Sequence, residues 1–125
     1  MQESKAKFDL EERTLAFAKD VRRFVRKLKK DIPNIEDSRQ LVRASGSVAA
    51  NYIEALEALG RKDFVMKLRI TRKETRESVY WLKMINESNL DLINIRKICN
   101  DLTKEGQEII KILTSSILTL EKKNS

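Results

Sequence analysis

Histidine is missing from the chain altogether, which removes histidine-based acid–base catalysis and histidine metal ligation. A single cysteine, Cys99, excludes an internal disulfide framework, thiolate zinc sites and paired redox cysteines within one chain, and argues for a reducing compartment. It lies among Ile95, Ile98 and Leu102, where a small buried hydrophobe is expected rather than a reactive thiol. Three glycines and one proline are too few for sheets or long irregular loops, so the expected fold class is all-α. There is no glycine-rich phosphate loop and no nucleophile elbow. No apolar run approaches the ~20 residues a membrane span requires, and the N-terminal MQESKAKF has no signal-peptide block. The expectation is a soluble, cytoplasmic protein that does not engage a membrane.

What is present is charge: 36% of the residues are Asp, Glu, Lys or Arg and the net charge is +7. That balance favours an anionic partner, although surplus lysine also serves solubility alone. At 125 residues, one domain over 1–125 is expected.

The apolar spacing predicts four helices, over about 9–31, 38–59, 61–86 and 92–122, in an antiparallel up-down-up-down four-helix bundle. Asp9 and Glu12 have the spacing of a capping box for the first, with residues before it frayed. Leu10, Thr14, Phe17, Val21, Phe24 and Leu28 form its seam, and Ile32-Pro33-Asn34 is read as its stop. Helix two starts at Asp37 or Ser38, with Leu41, Ser45, Val48, Tyr52, Ala55 and Leu59 inward. Its small segment Ala44 to Ala50 is expected to make the tightest contact of the bundle. Gly60 is expected in the left-handed conformation, reversing the chain directly into helix three. Helix four carries Gly106 on its seam, which implies close approach of a large residue opposite, and the EKKNS tail is expected to be disordered.

Helix three has the seam Phe64, Leu68, Thr71, Thr75, Ser78, Leu82 and Ile85, whose hydroxyls need partners. Met66, Lys73 and Tyr80 point away from it, with Ile70, Glu77 and Trp81 at its flanks. Met66, Tyr80 and Trp81 are therefore expected at a contact with another chain, as is the broad apolar arc of helix four with Ile93, Ile110, Ile112, Ile117 and Leu118. Lys62, Arg69, Arg76 and Lys83 recur every seven residues on an outer stripe, with Arg72 and Lys73 alongside. Such a row can follow a phosphate backbone, while Tyr80 and Trp81 could stack on unpaired bases. Arg22, Arg23 and Arg26 of helix one form a second basic patch. Against both stands the plain alternative of a solvated helix face.

Asn51, Glu54 and Glu77 could join in one buried polar network that fixes helix register, or else line a ligand pocket. Glu54, Glu74 and Glu77 could also meet as di-metal carboxylates do. The Glu-x-x-His pattern of such sites is missing, so no metal and no cofactor are expected.

The blocks SVAANYIEA, GRKDFVMKLRI and RKETRESVYWLKMI resemble the four-helix-bundle family known as 23S rRNA-intervening-sequence proteins, over about Leu41 to Ile85. The family pattern falls on Ser47, Val48, Ala49, Ala50, Asn51 and Glu54, then on Lys62, Asp63 and Phe64, and later on Glu77. The resemblance implies a barrel-like homopentamer without an established biochemical activity. A related branch comprises accessory variability proteins of diversity-generating retroelements, basic pentamers that bind nucleic acid and associate with a reverse transcriptase. The combined expectation is a non-enzymatic homo-oligomer that binds RNA or DNA through helices three and one. The rival is a protein-interaction scaffold or accessory subunit with no direct nucleic-acid role.

Overall fold

The computed structural model describes the backbone over residues 2–123 and the side chains over residues 10–122. Four helices follow one another: α1 (Gln2–Val25), α2 (Ile32–Leu56), α3 (Arg61–Ser88) and α4 (Ile93–Lys123). Short connections force neighbours to run antiparallel, and α4 closes against α1, giving an up-down-up-down bundle. The α2–α3 and α3–α4 pairings are the most extensive and α1–α4 the least, with no close backbone approach across either diagonal among the described residues.

The α1 seam behaves as its spacing requires, with Leu10, Thr14, Phe17, Val21, Phe24 and Leu28 all buried. Both ends of α1 differ from expectation. The helix already runs from Gln2, so the backbone of Asp9 lies inside it rather than at its start; the side chain of Asp9 is outside the described residues. It stops at Val25 rather than residue 31, where the Lys27 amide donates to the Phe24 carbonyl (3.0 Å) and Leu28 still tucks into the core.

The proline then starts a helix instead of merely stopping one. Asp31 is the N-cap of α2, its Oδ1 accepting from the Asn34 amide at 3.0 Å, and Pro33 occupies the first turn. An amide is unpaired there in any helix, so proline loses nothing. Helix two therefore begins about six residues earlier than its apolar pattern suggests. It also ends earlier, at Leu56, so Leu59 leaves the helical period and is 100% exposed instead of inward.

Gly60 is not left-handed. With φ 174° and ψ 168° it is extended and serves as the N-cap of α3, and a Cβ built there meets nothing within 4 Å. The reversal comes from the turn at Glu57 and Ala58, whose amides donate to the Glu54 and Ala55 carbonyls.

The polar seam of α3 is satisfied within its own helix. Thr71, Thr75 and Ser78 donate to the carbonyls of Lys67, Thr71 and Glu74 at 2.8, 2.7 and 2.9 Å, so three buried hydroxyls cost the core no unpaired group. On α4, Gly106 meets the close approach its position implies: a Cβ there would stand 2.7 Å from Val79 Cγ2 and 3.7 Å from Phe17 Cζ. Ile117 belongs to the core rather than to a surplus arc, while Ile93 and Leu118 are exposed. Glu121 to Lys123 of the tail are helical; Asn124 and Ser125 lie outside the described residues. At one end of the bundle, buried Asn34 in the first turn of α2 meets buried Asn89 at the C-cap of α3, Asn89 Nδ2 donating to Asn34 Oδ1 at 2.9 Å.

Candidate nucleic-acid interface

With Leu68, Thr71, Thr75, Ser78, Leu82 and Ile85 turned inward, the 3.6-residue period turns Lys62, Met66, Arg69, Lys73, Arg76, Tyr80, Lys83 and Met84 outward, and all are exposed. This face has two unlike edges. On the α2 side, Lys67 Nζ lies 3.5 Å from Glu54 Oε2, and Arg43 reaches across to Glu74 Oε2 (3.4 Å) and Glu77 Oε2 (2.6 Å). On the α4 side, Arg69 pairs with Glu121, and Arg72 Nη1 donates to Thr114 Oγ1 at 3.3 Å. By the helical period, Arg69, Arg72, Arg76 and Lys83 lean toward α4, while Met66, Ile70, Trp81 and Met84 lean toward α2. Lys73 and Tyr80 occupy the line between them.

A shallow depression of about 390 Å³ lies along the basic side, lined by Arg69, Arg72, Lys73, Arg76, Glu77 and Tyr80. Four cations thus face one carboxylate, and Arg43 already holds that carboxylate. Arg69 is not the free cation the heptad spacing suggests, since Glu121 partners it; both are exposed, and such pairs contribute only ~0–1 kcal/mol. Lys62, Lys73, Arg76 and Lys83 have no ion pair or hydrogen bond among the described residues.

Helix one's basic patch is arranged differently. Arg22 Nη1 donates to its own helix at the Ala18 carbonyl (3.0 Å), and its guanidinium lies over Gly46 of α2, where a Cβ would stand 3.1 Å from Nη2. Arg23 Nη1 is bound to Asp20 Oδ1 at 2.9 Å. Arg26 sits past the helix end, exposed.

The expected network of Ser47, Asn51, Glu54 and Glu77 does not close. Asn51 Nδ2 donates to the Ser47 carbonyl at 2.9 Å within α2, whereas Glu54 turns to Lys67 and Glu77 to Arg43. The two acids take the nearest cation across the α2–α3 groove, where charge can pair without full desolvation. Among the described residues no group of three or more acidic or cysteine side chains converges as a metal site would require. Cys99 is wholly buried, its Sγ donating to the Leu82 carbonyl at 2.9 Å, and burial pushes its thiol up to about 11.

Of the residues expected to meet another chain, Met66 and Tyr80 are 52% and 53% exposed, while Trp81 is half-buried against the core. The rings of Tyr80 and Trp81 meet edge to face at 4.8 Å. Sequence reasoning missed Ile53 and Met84, both exposed, and Arg43. Met84 follows Tyr80 by one helical step and was within reach of the periodicity. Arg43 was not, because its partners are 31 and 34 residues away.

A family model described as 23S rRNA-intervening sequence protein matches residues 6–115. Among solved structures, the chain is similar to a protein of unknown function from the S23 ribosomal protein family of Bacteroides thetaiotaomicron. That match has 28% identity and a TM-score of 0.77, and covers 89% of this chain and 96% of the other. Comparison with curated proteins finds no significant relative. Among the described residues, no helix is long and apolar enough to cross a membrane.

Proposed function

The chain belongs to the 23S rRNA-intervening sequence protein family, and from that premise we propose that it is a non-enzymatic, homo-oligomeric module that binds RNA or other nucleic acid through the outward face of α3. The observation that supports this reading is the depression lined by Arg69, Arg72, Lys73 and Arg76, in which Lys73 and Arg76 have no protein partner among the described residues. A row of unpaired cations on one helix matches a line of phosphates, and each phosphate neutralised releases a counterion. Nothing in the reading requires a cofactor.

Self-association fits the other edge. Met66 and Met84 are exposed on the side of α3 that leans toward α2, and exposed apolar side chains of this kind suit a second copy of the chain. Exposed methionines on one side of α3 and cations on the other let assembly and nucleic-acid binding coexist on one helix. The same methionines favour the second reading, in which the bundle is a scaffold or accessory subunit, for example to a reverse transcriptase, and its charges only keep it dispersed.

Filter binding of RNA at two salt concentrations separates the readings. Retention at low salt that falls steeply as salt rises is the expected result, and no retention at low salt leaves the scaffold alone. Sedimentation equilibrium tests assembly: a mass several-fold above 14.6 kDa is expected, and a species at 14.6 kDa overturns the oligomer.

A further inference from the structure

Tyr80 stands on the line between the cations that lean toward α4 and the methionines that lean toward α2. It lines the same depression as Arg69, Arg72, Lys73 and Arg76, and half of its surface is open. Trp81 meets it edge to face, so the tyrosine ring is braced by a neighbour that is itself half-buried against the core. A braced, exposed aromatic beside a row of cations is a stacking platform with a backbone track next to it.

We infer that the ligand of this face is a single-stranded nucleic acid whose phosphates follow Arg69, Lys73, Arg76 and Lys83 while one base stacks on Tyr80. This deepens the nucleic-acid reading above and rests on it. The cations form one row on one helix, about 20 Å from Arg69 to Lys83 at the helical rise. One feature of the face selects a single strand over a duplex. In a duplex the bases present only their edges and leave Tyr80 without a partner, whereas an unpaired base offers a whole ring. The choice is one of strandedness and not of sequence, because every base has a stacking face.

Trp81 is the only tryptophan, so a base arriving on Tyr80 is read directly in its fluorescence. The experiment titrates the full chain with a twelve-nucleotide single-stranded RNA and, separately, with a twelve-base-pair RNA duplex. It is repeated for Tyr80→Ala and Tyr80→Phe, with binding followed by Trp81 emission and by filter retention. Expected are tighter retention of the single strand than of the duplex and a change in emission with the single strand. Tyr80→Ala should weaken single-strand binding by roughly tenfold or more, and Tyr80→Phe should restore it. A logarithmic salt slope of about −2 to −3 is expected if about three or four phosphates are neutralised.

Equal binding of duplex and single strand, with Tyr80→Ala unchanged, overturns the single-strand inference and leaves nucleic-acid binding standing. No binding of either RNA overturns both. If Tyr80→Ala instead lowers the sedimenting mass at unchanged RNA affinity, Tyr80 belongs to a contact between copies and the inference fails.

Discussion

Helices α1 and α3 are both rich in cations and use them in opposite ways. On α1, Arg22 folds back onto the Ala18 carbonyl and over Gly46, and Arg23 closes on Asp20, so two of its three patch arginines are engaged within the fold. On α3, the ion pairs gather at the two edges and leave Lys73 and Arg76 open between them. A count of lysines and arginines rates the two helices alike. What separates them is how many cations lack a protein partner, and whether an aromatic side chain and a depression lie beside them.

The largest effect that sharpens this contrast is expected from paired charge reversals. Lys73→Glu with Arg76→Glu should lower RNA affinity by about a hundredfold or more at moderate salt, since two phosphate contacts become repulsions. Arg22→Glu with Arg23→Glu, measured by the same filter assay, should cost only several-fold through the change in overall field. Equal losses from both pairs would erase the distinction between the helices. A smaller effect, of opposite sign, is expected from Glu121→Gln. Releasing Arg69 from its exposed partner should strengthen RNA binding about threefold while moving thermal stability little, because exposed ion pairs hold little energy.

The smallest effect concerns how α3 can spare its surface. Its seam hydroxyls are satisfied by its own carbonyls and draw on no charged neighbour. Thr75→Val should therefore change stability by no more than about 1 kcal/mol in a denaturant titration. The acceptor it leaves, the Thr71 carbonyl, remains within a continuous helix. A much larger loss would mean that the hydroxyl supports more than its local turn.

How far each part of the molecule was legible follows from the range of the forces that set it. The seams of α1 and α3 were readable because helical period and burial are local consequences of one another: six of six named α1 positions are buried, so a single frame places them all. Gly106 was readable for a related reason, since a seam glycine has no purpose without something pressed against it. The ends of α2 were not. Pro33 signals both the end of one helix and the first turn of the next, and only the Asp31 cap on the Asn34 amide decides which. Gly60 misled because glycine suits an extended N-cap as well as a left-handed C-terminus.

The candidate interface was legible as a stripe and not as a surface. The heptad of Lys62, Arg69, Arg76 and Lys83 is visible in sequence, but Glu121 meets Arg69 from 52 residues away and Arg43 meets Glu77 from 34. Likewise, Asn51, Glu54 and Glu77 look like a network only until Asn51 bonds within its own helix and the two acids find cations across a groove that sequence does not display.

The sequence by itself determined that this chain is a bundle of four amphipathic helices, which side of each helix is oily, and that it holds no histidine and no pair of cysteines for an internal disulfide. Those properties depend on residue type and on spacing along one helix. Which cations remain unpaired and where α2 starts were decided only when the helices packed. Ion pairs and caps are contacts between groups a few ångströms apart, and it is tertiary structure that sets those distances.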